Sequence, residues 1–138
     1  MTRALVRAAT IAAVALVAGC GDDATGPTAI TITSPATVTP LSGGVDSRKL
    51  YRIVVPSTAT RLTVTTSGGT GDVDLFVHGG SVPPAVGADC DSFEPGTNAE
   101  SCVLEDADLE AGSYYILLIG STPYSNVTMT VTVTVPTV

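Results

Sequence analysis

Residues 127–135 read VTMTVTVTV, and this stretch decides the fold class. Apolar side chains alternate with threonines at a period of two, which is the period that a β-strand imposes on its two faces. One face of the segment is therefore apolar and the other carries hydroxyl groups. We predict a strand whose apolar face packs on a core and whose hydroxyl face meets solvent.

Beyond residue 40 the rest of the chain has the same strand periodicity, and no segment has a convincing helical face. Further strands are predicted at 50–55, 61–66, 72–77, 101–104 and 114–119. The last of these, YYILLI, is apolar without a break, as expected for a strand that is buried on both faces. Many β-branched strands separated by Gly- and Pro-containing turns predict an all-β sandwich or barrel.

The first nineteen residues have the composition of an export signal. Arg3 and Arg7 precede an apolar core at 8–18 that is too short to span a bilayer. The segment Leu16-Val17-Ala18-Gly19-Cys20 resembles the end of a bacterial lipoprotein signal, which implies cleavage before Cys20 and acylation of that residue. Two or three acyl chains would hold the protein stably on a membrane. The alternative is ordinary secretion with Cys20 left as a spare thiol.

The residue after the lipidation motif bears on localisation. Gly21, and not an aspartate, follows Cys20. In a host with two membranes, the resemblance to lipoproteins then implies transfer to the outer membrane or cell surface. We expect an extracytoplasmic, membrane-anchored protein.

Charge and composition divide the remaining chain into a tether and one domain. Without Arg3 and Arg7, four basic residues face thirteen acidic ones, a net charge of −9. Such a chain is a poor candidate for nucleic-acid binding, and its charge is compatible with the binding of cations such as calcium. Residues 20–40, rich in Thr, Pro and Gly, are predicted to be a flexible tether, and 41–138 a domain of about 100 residues. Residues 30–32 alternate and are an alternative edge strand.

Several sequence pieces occur in an order that indicates a known family. They are YRIVVP at 51–56, LTVT at 62–65, SGGTGDVDLFV at 67–77, DCD at 89–91, Cys102, AGSYYI at 111–116, and Gly120 with YSNV at 124–127. Over roughly 41–135 the chain resembles the bacterial pre-peptidase C-terminal domain, a jelly-roll-like β-sandwich related to the collagen-binding modules of secreted collagenases.

This resemblance carries an expectation about function. The family domain usually follows a secreted hydrolase and is associated with secretion, solubility or the binding of insoluble collagen or polysaccharide. We expect no catalytic domain here and no enzymatic activity. The resemblance favours a lipid-anchored module that binds an extracellular protein, a polysaccharide or an envelope partner. The alternative is an accessory lipoprotein that assists a separate exported hydrolase and has no ligand of its own.

The two remaining cysteines form an even pair, which indicates one disulfide in an oxidising compartment. Cys90 and Cys102 also match the disulfide-forming positions of the family. The alternative, a reactive or metal-binding pair, is disfavoured because no histidine lies near them in the sequence. Closure of this loop would stabilise the domain by about 3 kcal/mol in the chain-entropy model.

Four aspartates are the candidate metal ligands. Asp72 and Asp74 lie two apart on a predicted strand, and Asp89 and Asp91 flank Cys90. Carboxylate oxygens are the ligands that calcium prefers, although no EF-hand spacing is present. The alternative is that these side chains accept hydrogen bonds from backbone N–H groups in turns.

A catalytic site and an aromatic binding site are the other possibilities. His78 is the only histidine, and no nucleophile motif of the type Gly-x-Ser-x-Gly accompanies it, so a solvated strand end is favoured over catalysis. Phe76, Phe93 and Tyr124 are candidates for an exposed ligand platform. The alternative is that they pack in the core or in turns.

Overall fold

A computed structural model of the chain describes residues 26–137. Nine strands and one short 3-10 helix follow in the order β1 Ile30–Thr31, β2 Ala36–Gly43, β3 Arg48–Val55, β4 Arg61–Ser67, β5 Val73–Gly79, β6 Cys90–Ser92, β7 Glu100–Glu105, the helix Asp106–Asp108, β8 Gly112–Gly120 and β9 Tyr124–Thr134. The described residues therefore confirm the predicted all-β class.

The strands form two sheets that pack face to face as a sandwich. Sheet A has the order β1-β3-β8-β5-β6, and sheet B has the order β2-β9-β4-β7. Strand pairs are antiparallel except for β1 and β3, which run parallel. The central strands β8 and β9 are the long apolar and alternating segments that the sequence pattern singled out.

The main core lies between the sheets and is built by the period-two alternation. On β9, Val127, Met129 and Val131 are fully buried, whereas Thr130 is exposed. On the facing sheet, Ile116 and Leu118 of β8 point into the same cluster. Because inward side chains recur at every second residue, each strand adds one apolar row to the core.

A second, smaller apolar cluster covers the outer face of sheet A. Leu50, Phe76 and Leu117 occupy one cross-strand row over β3, β5 and β8, and all three are buried. Ala29 and Ala88 pack against this row from the amino-terminal segment and from the loop before β6. The predicted burial of β8 on both faces is therefore confirmed.

The disulfide joins the two sheets at one edge of the sandwich. Cys90 on β6 is bonded to Cys102 on β7, with their Cα atoms 5.7 Å apart. The two strands are the edge strands of sheet A and sheet B, respectively. The bond therefore fixes the loop before β6 to both layers, and the predicted pairing is confirmed.

The predicted boundary between tether and domain at residue 41 is wrong. Strand β1 pairs with β3, and β2 pairs with β9 from Ala36 onward, so residues 30–40 belong to the sandwich. Pro40 is tolerated because it lies at a register shift in an edge strand, where no ladder hydrogen bond from its nitrogen is required. The alternative edge strand at 30–32 is the better interpretation.

The predicted leader, Cys20 and the first residues of the tether lie outside the described residues. Within 26–137, no helix is long and apolar enough to cross a membrane. All nine strands, both apolar clusters and the disulfide fall between residues 29 and 134. This segment has its own core and thus the properties of an independently folding domain.

Candidate functional site

Three of the four candidate calcium ligands accept hydrogen bonds from separate partners. Asp72, directly before β5, is buried and its Oδ2 accepts a hydrogen bond from Gly96 N–H at 2.7 Å. Asp74 Oδ2 accepts one from the Ser121 hydroxyl at 2.6 Å. These hydrogen bonds hold the loops that contain Gly96 and Ser121 against the beginning of β5.

The other two aspartates lie further along the same sheet. Asp89 Oδ2 accepts a hydrogen bond from the Gly79 N–H at 2.7 Å, at the end of β5. Asp91 is exposed on β6, opposite Phe76. Among the described residues, no three His, Cys, Asp or Glu side chains are grouped as a metal site requires. The structure therefore does not bring the four aspartates together. It favours the turn-stabilising alternative for Asp72 and Asp89, whose donors are backbone N–H groups.

The single histidine pairs with an acid on the outer face of sheet A. His78 Nδ1 lies 3.1 Å from Asp89 Oδ1, and both side chains are partly exposed. Within residues 26–137 no hydroxyl group is hydrogen-bonded to His78. The hydroxyl of Ser113, on the neighbouring strand, instead accepts hydrogen bonds from Arg52 Nε at 3.0 Å and Nη2 at 2.7 Å.

The predicted aromatic platform is not assembled. Phe76 is 6 % exposed in the outer cluster of sheet A, and Tyr124 is 3 % exposed in the main core. Burial raises the pKa of the Tyr124 phenol. Phe93 is exposed, as predicted, but neither Phe76 nor Tyr124 is exposed to form a platform with it. The prediction fails for Phe76 because its face of sheet A is covered by apolar neighbours rather than by water.

The outer face of sheet B carries a regular array of hydroxyl groups, which we call the hydroxyl face. One row crosses all four strands, with Thr37, Thr130, Thr65 and Ser101 directly opposite one another. Neighbouring rows extend the array, and Thr39 and Thr128 are hydrogen-bonded through their hydroxyls at 2.9 Å. The face comprises Thr37, Thr39, Thr63, Thr65, Ser67, Ser101, Thr128, Thr130, Thr132 and Thr134.

The hydroxyl face is nearly free of charge. Its charged pair lies in the last row, where Arg61 Nη2 is 2.6 Å from Glu105 Oε2. Every hydroxyl residue of the face is exposed or half-buried. The alternation in β9 predicted a hydroxyl surface, but the matching rows on β2, β4 and β7 follow from a cross-strand register that the sequence does not reveal.

One buried acid was missed by the sequence analysis. Glu100 is 2 % exposed, and its carboxylate accepts hydrogen bonds from the Ser92 hydroxyl and from Glu94 N–H. Burial raises the pKa of this carboxyl, and the two hydrogen bonds oppose that rise. The Ser92 contact links β6 to β7, close to the disulfide. An acid in a polar, irregular segment gave no signal of burial.

An open acidic cleft lies at one end of sheet A. A cavity of about 490 Å³ lies beside the end of β5 and the beginning of β8. Asp89, Asp108 and Glu110 line it, and Tyr114 forms part of its wall. The Tyr114 hydroxyl accepts a hydrogen bond from Glu110 N–H at 2.9 Å. The cleft is thus an anionic surface of the sandwich.

The order of these strands, the Gly-rich turn and the disulfide position together match a known domain. The family model of the bacterial pre-peptidase C-terminal domain matches residues 47–120, which is more than half of the chain. The chain belongs to the bacterial pre-peptidase C-terminal domain family. In this family the domain is a non-catalytic carboxy-terminal module of proteases, and the residues described above form that module.

Individual comparisons agree with this assignment. The chain is 36 % identical over 92 residues to a zinc metalloprotease of Helicobacter pylori, covering 67 % of this chain and 34 % of the relative. It is also 36 % identical over 92 residues to the hemagglutinin/proteinase of Vibrio cholerae, covering 67 % of this chain and 14 % of the relative. The chain thus spans about a third or less of these proteases.

The fold is shared with a solved pre-peptidase C-terminal domain. The crystal structure of that domain from a Bacillus anthracis collagenase superposes with a TM-score of 0.55 at 16 % sequence identity. The match covers 79 % of this chain and 97 % of the solved one.

Proposed function

We propose that this protein is a non-catalytic, lipid-anchored module outside the cytoplasmic membrane that binds an insoluble extracellular substrate through its hydroxyl face. One observation carries the proposal. A four-strand row of hydroxyl groups is exposed on an otherwise acidic domain, and its neighbouring rows hold one charged pair. A surface of this kind suits an uncharged partner.

Hydroxyl groups both donate and accept hydrogen bonds, and threonine adds a methyl group for apolar contact. A single hydrogen bond exchanged with water contributes only about 1 kcal/mol. Affinity therefore needs many contacts at once, which a regular array provides against a repetitive surface. Neutral polysaccharides and collagen-like proteins both present repeated hydroxyl and carbonyl groups, whereas the acidic charge of the domain disfavours nucleic acid.

The extracytoplasmic location and the anchor have their own support. A disulfide joins the two sheets, and such bonds persist in oxidising compartments. The apolar leader ends at Cys20, and acylation there would place the sandwich on a membrane surface. Mass spectrometry of the protein isolated from cell membranes is expected to show a diacylglyceryl group on Cys20. An unmodified mature terminus at another residue would contradict the anchor.

A retention assay tests the binding function. The mature chain is mixed with insoluble chitin, starch or collagen, and the bound fraction is measured after sedimentation. Charges introduced by Thr65→Glu with Thr130→Glu are expected to reduce retention at least tenfold, because both residues lie in the central row. The matched control, Thr58→Glu with Thr122→Glu, places the same charges on exposed loops and should leave retention unchanged.

Three outcomes of this assay are informative. Loss of retention in the central-row variant alone supports the hydroxyl face. Equal retention of both variants would move the site elsewhere on the domain, and no retention of the unmodified chain on any material would contradict binding altogether. A chelator is expected to have no effect, because the four candidate calcium ligands are dispersed.

A second function is favoured by the identity of the relatives. Both matched relatives described above are proteases. The module would then assist a separate exported hydrolase and have no ligand of its own. Co-expression with a secreted protease should raise the yield of soluble active enzyme if this is correct, and the central-row variant should assist as well as the unmodified chain.

A further inference from the structure

The charges of the domain are separated between its two edges. The described residues hold four basic side chains, and three of them, Arg48, Lys49 and Arg52, lie on β3. Of the eleven described acidic residues, only Asp46 lies outside the segment from Asp72 to Glu110. That segment contains β5, β6, β7 and the 3-10 helix.

The sheet topology turns this sequence pattern into a spatial one. Strand β3 lies beside the two-residue edge strand β1, whereas β5 and β6 lie at the other side of sheet A. Strand β7 is the edge of sheet B that the disulfide joins to β6. The side with β1 and β3 therefore carries three of the four described basic residues, with Asp46 beside them, and the side with β5, β6 and β7 is rich in acidic residues. We call them the β3 edge and the β7 edge.

The three basic side chains of the β3 edge are not used in ion pairs within residues 26–137. Arg52 donates to the uncharged Ser113 hydroxyl, and neither Arg48 nor Lys49 has a carboxylate within ion-pair distance in that part of the chain. Arg61, by contrast, is paired with Glu105. A domain with this excess of carboxylates thus leaves these three cations on β3 available to an external anion.

The amino-terminal segment reaches the sandwich at this same edge. Ile30 and Thr31 pair in parallel with Tyr51 and Arg52. Only nine residues lie between Cys20 and Ile30, and these ten residue-to-residue steps reach at most about 35 Å. Two exposed apolar side chains, Ile30 at 58 % and Val54 at 56 %, lie on the edge beside the cations. Unpaired cations along an edge that also exposes apolar side chains are a combination that suits the interface of an anionic bilayer.

We propose that the β3 edge docks on an anionic phospholipid surface, so that the β7 edge points away from the membrane. The inference rests on the proposed anchor at Cys20, because the short tether supplies the proximity. Each basic residue near an anionic leaflet contributes about 1 kcal/mol, so three shift the docked population by about a hundredfold. Repulsion between the acidic β7 edge and the same lipids disfavours the reversed orientation.

Two single tryptophans provide the test, since the chain has no tryptophan of its own. Val54→Trp places the reporter on the β3 edge, and Val103→Trp places it on β7, where Val103 is 47 % exposed. The mature chain from Cys20 is coupled through that thiol to a maleimide lipid, because the other two cysteines are bonded to each other. The vesicles contain brominated phosphatidylcholine, with or without phosphatidylglycerol.

Quenching by the brominated lipid reports which edge touches the bilayer. We expect strong quenching of Val54→Trp in phosphatidylglycerol vesicles, several-fold weaker quenching in phosphatidylcholine alone, and little quenching of Val103→Trp in either. The charge reversal Arg48→Glu with Lys49→Glu should abolish the difference between the two lipids. The single reversal Arg61→Glu, away from the β3 edge, should preserve it.

Equal quenching of both reporters, or quenching of Val54→Trp that does not depend on phosphatidylglycerol, would overturn the proposal. Because the anchor is supplied chemically, a failure of acylation in cells cannot produce either result. Retention on insoluble substrate is measured without lipid and separates the binding function from the orientation. Circular dichroism confirms that each variant retains the sheet.

Discussion

The outer faces of the two sheets follow the same alternation but meet different surroundings. On sheet A, Leu50, Leu117 and Phe76 form an apolar row that neighbouring segments cover. On sheet B, most of the corresponding positions carry threonine or serine and remain in contact with solvent. Outward apolar side chains are stable only when other segments of the chain bury them. Outward hydroxyl groups are stable in water, so that face stays accessible to a partner. The contrast explains why the binding proposal rests on sheet B.

The largest expected effect comes from weakening the covered face. Leu117→Ala removes a fully buried side chain from the outer row of sheet A and should lower the free energy of unfolding by about 3–4 kcal/mol. Thr130→Val, at the centre of the hydroxyl face, should change it by no more than about 0.5 kcal/mol. Urea denaturation measures the free energy of unfolding of both variants. Similar losses in the two variants would remove the distinction between the faces.

The next effect concerns the edge where the two sheets are joined. Replacing both Cys90 and Cys102 by alanine should lower the free energy of unfolding by about 3 kcal/mol, because the loop between them is no longer closed in the unfolded chain. Thermal unfolding of the double variant and of the reduced protein measures this. The single-residue change Phe93→Ala, on an exposed side chain in the same loop, is the control and should have little effect.

A pH-dependent effect should appear at the same edge. The folded-state pKa of Glu100 is raised above its ordinary value of 4.5, mainly by burial. Its contribution to stability is therefore fully present below pH 4.5 and is lost as the pH rises through the folded-state pKa. Relative to Glu100→Gln, the unmodified protein should become less stable between pH 4.5 and neutrality. A constant difference between the two proteins over this range would argue against a raised pKa.

The smallest effect is expected at the charged end of the hydroxyl face. Arg61 and Glu105 form an exposed pair, and solvent screening limits such pairs to less than about 1 kcal/mol. Arg61→Gln with Glu105→Gln should therefore leave thermal stability almost unchanged and should leave retention on insoluble substrate intact. A marked loss of retention would show that this pair, and not the neutral array, carries the binding.

Local patterns predicted much of the sheet architecture. The alternation in β9 and the apolar run in β8 were sufficient to predict these two strands and their buried faces, because the period of apolar residues depends directly on which faces are buried. Strand β2 was missed because Pro40 and several threonines give an edge strand the composition of a linker. Strand β6 has only three residues, and pairing with β5 holds it in place.

The candidate site was less predictable because it depends on contacts between distant segments. The partner of Asp72 is a backbone N–H 24 residues away, and no local pattern reveals that contact. Phe76 and Phe93 look alike in the sequence, yet only Phe76 lies under Ala29 and Ala88. The rows of the hydroxyl face likewise depend on the register between strands.

Strand β1 has a mechanical consequence. It holds the amino-terminal segment against β3 through two residue pairs and the hydrogen bond from Ile32 N–H to the Arg52 carbonyl. A pull on that segment would load these few hydrogen bonds first, while the longer pairing of β2 with β9 stays intact. Detachment of β1 would release the eight residues from 26 to 33, or at most about 28 Å of extended chain, because the Ser34 hydroxyl accepts a hydrogen bond from Val133 N–H of β9. The domain can therefore lengthen by this short segment while β2 stays paired with β9.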